Sequence, residues 1–161
     1  MKLGIISDTH GLLRPEAVAA LGGVDRILHL GDIGPQSILD RLAEIAPVTA
    51  VRGNVDHSGP PSRLPETEVV LVENPPGDSL YLYLLHDLHA LHLDPAAAKF
   101  AAVLHGHSHT PNHHTKKGVL YFNPGSAGPR RFHLPVTVGL LTIDGSGALK
   151  PEVVYLHVQA T

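Results

Sequence analysis

Short apolar runs recur along this chain, and five of them stop at side chains able to hold a metal ion. Leu3–Ile6 leads into Ser7-Asp8-Thr9-His10, Arg26–Leu30 into Gly31-Asp32, and Val48–Val51 into Gly53-Asn54. Further on, Leu80–Leu85 leads into His86-Asp87, and Ala101–His105 into Gly106-His107-Ser108-His109. An unbroken apolar run of this length marks a strand buried on both faces, as in a parallel sheet. Between the first three runs lie helical stretches. Arg14–Leu21 has Pro15 at its start and Gly22-Gly23 at its stop, and Ser37–Ala46 ends before Pro47. The opening therefore reads β-α-β-α-β, the start of a doubly wound sheet with right-handed crossovers.

The second half changes character. His57–Glu66 is a proline-rich loop without periodicity, placed over the site side of the molecule. Glu68–Glu73 and Leu80–Leu85 flank a hairpin turn at Asn74-Pro75-Pro76-Gly77-Asp78-Ser79. A short helix is expected over Ala96–Phe100 and strands over Ala101–His105, Val119–Phe122, Val136–Ile143 and Leu149–Leu156. Parallel units first and antiparallel strands later give an α/β fold of two sheets packed face to face with helices outside. At 161 residues the chain fits one domain, 1–161, with enough length to bury a core.

Composition narrows the chemistry. The formal charge of -3 provides no basic footprint for a nucleic-acid polymer and leaves small phosphate compounds as partners. With no cysteine, any metal must be held by imidazole, carboxylate or amide groups. No apolar stretch reaches the ~18 residues of a membrane span and no signal-peptide core is present, so the expectation is a soluble cytoplasmic protein. Thirteen histidines are many for this length. His89 and His92 are expected on the surface after a strand, and His113 and His114 in a polar turn.

Ligands in open α/β sheets bind beyond the carboxyl ends of the strands, so one geometry carries Asp8, His10, Asp32, Asn54, His86, His107 and His109 to a common rim. Each cluster alone has a plain structural reading: a helix cap at Asp8, turns at Gly31-Asp32 and Gly53-Asn54, a hydrogen-bonded strand-end histidine at His86. Five such coincidences in one chain are harder to accept than one metal site. Carboxylate and imidazole together suit manganese above all, with iron, zinc, nickel or cobalt also accommodated. Asp32, between the other ligand-bearing ends, is the candidate bridge between two ions ~3.5–4 Å apart. In an extended segment His107 and His109 face the same way, one for each ion.

This set of D-x-H, G-D, G-N-x-D, H-D and G-H-x-H, followed by Asn123-Pro124-Gly125-Ser126, resembles the calcineurin-like metallophosphoesterase superfamily, nearest its small bacterial and archaeal phosphodiesterase branch. The resemblance runs from Asp8 to Arg131. It implies a four-layer αββα sandwich, two mixed sheets with flanking helices, around two divalent metal ions. One ion would take Asp8, His10, Asp32 and His109, and the other Asp32, Asn54, His86 and His107. A bridging water or hydroxide would attack phosphorus, giving a metal-dependent phosphodiesterase for a small phosphodiester. Asp32, Asn54, His107 and Asp56 are the catalytic candidates. The alternatives are a phosphomonoesterase and a non-catalytic protein-binding scaffold of the same fold.

Two positions depart from the superfamily pattern. Val55 stands where many members carry a proton-donating histidine, leaving His57 or Asp56 as the alternative donors. Asp87 stands where glycine is usual, either orienting a neighbouring imidazole or simply solvated. Arg130 and Arg131 are the candidate substrate-binding residues, able to fork onto a phosphate. The Asn123–Ser126 turn is expected to close the site structurally. Valine- and leucine-rich edge strands make a homo-oligomer an open expectation.

Overall fold

The computed structural model describes residues 1–74 and 76–159. One sheet holds β1 (Lys2–Ile6), β2 (Arg26–His29), β3 (Val48–Ala50), β9 (Thr137–Ile143) and β10 (Leu149–Tyr155) in the order β10-β9-β1-β2-β3. The other holds β4 (Thr67–Val72), β5 (Leu80–Leu85), β6 (Ala102–Leu104), β7 (Asn112–Lys116) and β8 (Val119–Asn123) in the order β4-β5-β6-β8-β7. Each sheet is mixed: β1, β2 and β3 run parallel in one, with antiparallel pairings at β9 and β10 on one side, and β5, β6 and β8 run parallel in the other, with antiparallel edges β4 and β7.

Register places the site. Ile6 pairs with His29 and His29 with Ala50, so the first three strands end in step. Across the sandwich Leu84 pairs with Leu104 and Leu104 with Phe122. All the ligand-bearing loops therefore leave from one rim. The core between the sheets joins Leu3, Ile5, Leu28 and Leu30 to Leu82, Leu84, Leu104 and Phe122. The helices α1 (Pro15–Ala20) and α2 (Ser37–Ala43) cover the outer face of the first sheet through Ala17, Ile38, Leu39 and Leu42. Interior strand β9 is buried along almost its whole length, whereas edge strand β4 alternates buried and solvated positions toward its end and no residue of edge strand β10 is fully buried.

The architecture is the expected pair of mixed sheets, and local differences have local causes. Over the second sheet the outer layer is a 3-10 turn at Leu88–Ala90 and a single turn after Asp94, packed on Leu85, Val103 and Val119. That turn replaces the short helix expected at Ala96–Phe100. Asp94 Oδ1 accepts from the Ala96 and Ala97 amides, and Lys99 at φ 61° ends the turn at once. His113 and His114 are not in a turn but on edge strand β7, where His114 stacks on Tyr121 with centroids 5.2 Å apart. Polar side chains do not forbid a strand whose faces are both exposed. Strands β4 and β5 pair antiparallel as expected, while Pro75 of the connecting turn lies outside the described residues. Among the described residues no helix is long and apolar enough to cross a membrane.

Phe122 is wholly buried between the sheets, and its ring lies against Gly139, where a methyl would come within 2.7 Å of Phe122 Cζ. Phe122→Ala is expected to lower unfolding free energy by about 3–5 kcal/mol in urea titration. A loss below ~1 kcal/mol would show that the sheets do not depend on this ring.

Candidate metal centre

The loops beyond β1, β2, β3, β5 and β6 bring all seven expected ligands together. Their donor atoms form two groups, Asp8 with His10 and His109, and Asp32 with His86 and His107, in each of which the atoms lie within 4.8 Å of one another. In the first, Asp8 Oδ1 is 3.2 Å from His109 Nε2 and 3.7 Å from His10 Nε2. In the second, Asp32 Oδ2 is 3.2 Å from His86 Nε2, and Asn54 Oδ1 lies 3.1 Å from His86 Nε2 and 3.0 Å from His107 Nδ1. Asp32 Oδ2 also stands 3.7 Å from His10 Nε2, between the two groups. Asp8 Oδ1 likewise reaches 3.9 Å from His86 Nε2.

The donor set fits divalent cations on a structural observation. Asp8 is fully buried, yet its Oδ1 has no hydrogen-bond partner. An unpaired buried carboxylate oxygen is costly unless a cation completes it. Its other oxygen is tied back, accepting from Ser7 Oγ at 2.7 Å and the His107 amide at 3.1 Å. Asp32 is arranged the same way: Oδ1 accepts from the Val55 amide at 3.0 Å while Oδ2 faces the cluster. His86 Nδ1 donates to the Leu30 carbonyl at 2.7 Å, which turns the Nε2 lone pair inward.

Charge follows from this crowding. Burial works to raise the Asp8 carboxyl, but the nearby rings of His10 and His109, the charge of His86 and the hydrogen bond from Ser7 hold it well below the usual carboxylate range. Burial also acts against ionisation of Asp32, and the His86 ring with the Val55 amide outweigh it, again lowering the carboxyl. For His86 burial favours the neutral ring, yet the hydrogen bond to Asp32 and the charges of Asp8 and Asp32 raise it above the ordinary imidazole value. Two carboxylates held in their ionised form are thus concentrated where four imidazole rings converge.

The backbone is bent to make this possible. Asp8, His10, Asp32, His107 and His109 all have positive φ, between 45° and 68°, and they are five of the eight non-glycine residues in that region among those described. Left-handed backbone at non-glycine residues costs free energy and gathers at functional sites. The Gly106–His109 segment is consequently not extended, as its spacing suggested, but a tight turn in which the Ser108 amide donates to the Gly106 carbonyl at 2.8 Å. The turn still sends one imidazole to each group. A methyl on Gly106 would collide with Ser7 Oγ and Asp8 Oδ2, and one on Gly53 with Asp32 Oδ1. Both glycines are there for close approach.

Other expected residues take different places. Asp56 is only 4 % exposed, and its carboxylate accepts from the amides of Ile33 at 3.0 Å, Gly34 at 3.2 Å and Gly53 at 2.8 Å. It clamps the Asp32 loop to the Asn54 loop, and with its oxygens engaged as acceptors it is not placed as the catalytic group the sequence suggested. Asp87 accepts from the His89 amide and stands 3.9 Å from His107 Nε2, a loose orienting contact. Arg131 Nη2 lies 3.5 Å from His10 Nε2, whereas Arg130 is exposed with no hydrogen bond or ion pair to the cluster. Asn123 closes the turn as expected, donating to the Gly106 carbonyl at 3.0 Å and Ser108 Oγ at 2.9 Å, and Ser126 Oγ donates to the Asp8 carbonyl at 3.0 Å.

His29 was not singled out by sequence. It is completely buried beneath the ligand loops, where Thr9 Oγ1 donates to the Ile33 carbonyl at 2.8 Å and accepts from His29 Nε2 at 3.0 Å, and His29 Nδ1 accepts from the Gly31 amide at 3.2 Å. Burial pushes its pKa down to about 4, so it serves as a neutral brace between the Asp8 and Asp32 loops. The available signal was a histidine inside an otherwise apolar strand.

Comparison with known proteins agrees with this geometry. Residues 1–146 match the calcineurin-like phosphoesterase superfamily domain. A probable metallophosphoesterase of Methanothermobacter thermautotrophicus is 38% identical over 161 residues, covering 90% of this chain and 87% of that protein. The crystal structure of a novel archaeal phosphodiesterase superposes with a TM-score of 0.76 at 22% identity, over 96% of this chain and 100% of the other. Vps29 of Entamoeba histolytica complexed with zinc has a TM-score of 0.71 at 24% identity, over 96% and 99%. At these identities the two structures speak to the fold. With the family domain spanning most of its length and a relative of this identity, the chain belongs to the calcineurin-like phosphoesterase superfamily.

Proposed function

We propose that this protein is a metal-dependent phosphodiesterase that hydrolyses a small phosphodiester at a two-metal centre, with manganese as the preferred ion. The carrying observation is the complete donor set, in which Asp32 Oδ2 lies within 3.7 Å of a nitrogen from each histidine group. Asp8, His10, Asp32 and His109 would hold one ion, and Asp32, Asn54, His86 and His107 the other. When bound, such a pair lowers the pKa of water toward neutrality and offsets charge on the attacking and leaving oxygens. The protein's own groups position and neutralise. Asn54 and His107 hold the open side of the cluster, and Arg131, exposed beside His10, is placed to pair with a non-bridging phosphate oxygen.

Diester preference rests on two supports. The archaeal phosphodiesterase shares the fold over 96% of this chain, and Val55, where a proton donor stands in many superfamily members, is 45% exposed and carries no proton to give. A leaving group that must depart unprotonated favours activated esters. Among the described residues no cationic side chain besides Arg131 contacts the ligand histidines, which does not favour the more highly charged phosphomonoester. A scaffold role, the other alternative, gives no reason for seven competent ligands, five of them on left-handed backbone. A small phosphate ester is accordingly the proposed partner.

Three outcomes are expected. Asp32→Ala should strip both ions and turnover in metal analysis of the purified protein, whereas Asn54→Ala should mainly weaken one; two ions and full activity in the Asp32 variant would remove the bridge. Metal occupancy should fall as pH drops below ~6, because imidazoles bind only when neutral. The raised His86 sets the sign: it keeps its proton to higher pH than an ordinary histidine, so protons compete with the ion as pH falls through that range. Unchanged metal content down to about pH 5 would count against the histidine ligands. Finally, log kcat across aryl and alkyl phosphodiesters should fall steeply as leaving-group pKa rises; a flat line would assign proton donation to His57.

A further inference from the structure

A cavity of about 550 Å³ opens directly beside the second ligand group, with Asn54 and His86 in its wall. It lies at the rim over the outer face of the second sheet, where Thr67 at the start of β4 pairs with Leu85 at the end of β5, with Arg52 after β3 on its other side. Its floor is apolar: Tyr83 and Leu85 project from the same face of β5, and Ala90 and Leu93 close over them from the segment beyond Asp87. Tyr83 packs against Phe100 with centroids 5.1 Å apart, which supports that wall from behind. Arg52 and Glu66 form the rim, paired at 2.7 Å, and the Arg52 amide donates to the Pro65 carbonyl at 2.9 Å. Arg52 is therefore neutralised by its neighbour, and Asp87 adds a further carboxylate to the lining.

These features select a ligand. The volume is that of a drug- or nucleoside-sized group, the floor is apolar, and the rim offers paired donors and acceptors without spare positive charge. We infer that this cavity holds one ester group of the phosphodiester, an uncharged flat ring such as an aryl or nucleoside moiety, while its phosphate meets the metal centre. A substrate bearing a second phosphate or carboxylate on that side would face Glu66 and Asp87. This assignment rests on the phosphodiesterase reading, and it extends that reading from the reaction to the substrate class.

Two measurements test it independently. Adenosine, uncharged and without phosphate, is titrated into chelator-treated protein and followed by amide NMR. Shifts are expected at Tyr83, Leu85 and Ala90, and they should vanish in Ala90→Trp, which fills the cavity from an exposed turn. With manganese and bis(4-nitrophenyl) phosphate, Ala90→Trp and Leu93→Trp should each raise KM about fivefold or more while metal content stays that of the unaltered protein. Adenosine shifts elsewhere on the protein, or a KM within about twofold in both variants, would overturn the assignment. Absence of any phosphodiester hydrolysis would sink the enzymatic reading instead, and the adenosine titration then decides the cavity's role alone.

Discussion

Two carboxylates buried a few ångströms from the same imidazoles are the constraint around which this molecule is arranged. Asp8 presents an oxygen with no hydrogen-bond partner, and Asp32 presents one to histidines on both sides. In a low-dielectric rim such a cluster is costly by itself and favourable once cations enter it. The fold therefore has to hold in place a set of groups that would otherwise separate. Parallel strands ending in register bring the loops together, and left-handed backbone at five ligands turns the side chains inward.

What keeps this arrangement is a layer of groups that touch the ligands without belonging to them. Asp56 pins two loops through backbone amides, His29 and Thr9 brace them from below, and Asn123 with Ser126 ties the last loop to Asp8. Such partners fix ring orientation and leave the donor lone pairs directed at one volume. The strain at Asp8, Asp32 and His107 persists because these bonds over-determine it. The cavity beside Asn54 adjoins the same rim, lined by residues that follow β3 and by Tyr83 and Leu85 on the outer face of β5.

Sequence alone was enough for the strand and helix order of the first half, for the convergence of seven candidate ligands on one rim and for the two-sheet architecture. Apolar runs report burial directly, and a polar residue that ends such a run can only sit at its rim. Elements governed by side-chain capping or by solvent on both faces were harder to read. Asp94 turns the alanines after it into one turn, and His113 and His114 occupy a strand without any alternation to reveal it. The role of Asp56 was equally hidden, because an aspartate beside Asn54 looks the same whether it faces substrate or backbone amides.

The amino-acid order by itself determined which residue types reach the rim, since strand ends and glycine breaks are local properties of a chain. Only the tertiary structure decided which donors share a group, which carboxylate oxygen is left bare, and where a ring-sized space adjoins them. Those outcomes depend on distances between loops far apart in sequence, and such distances are set by sheet register and packing rather than by any residue alone.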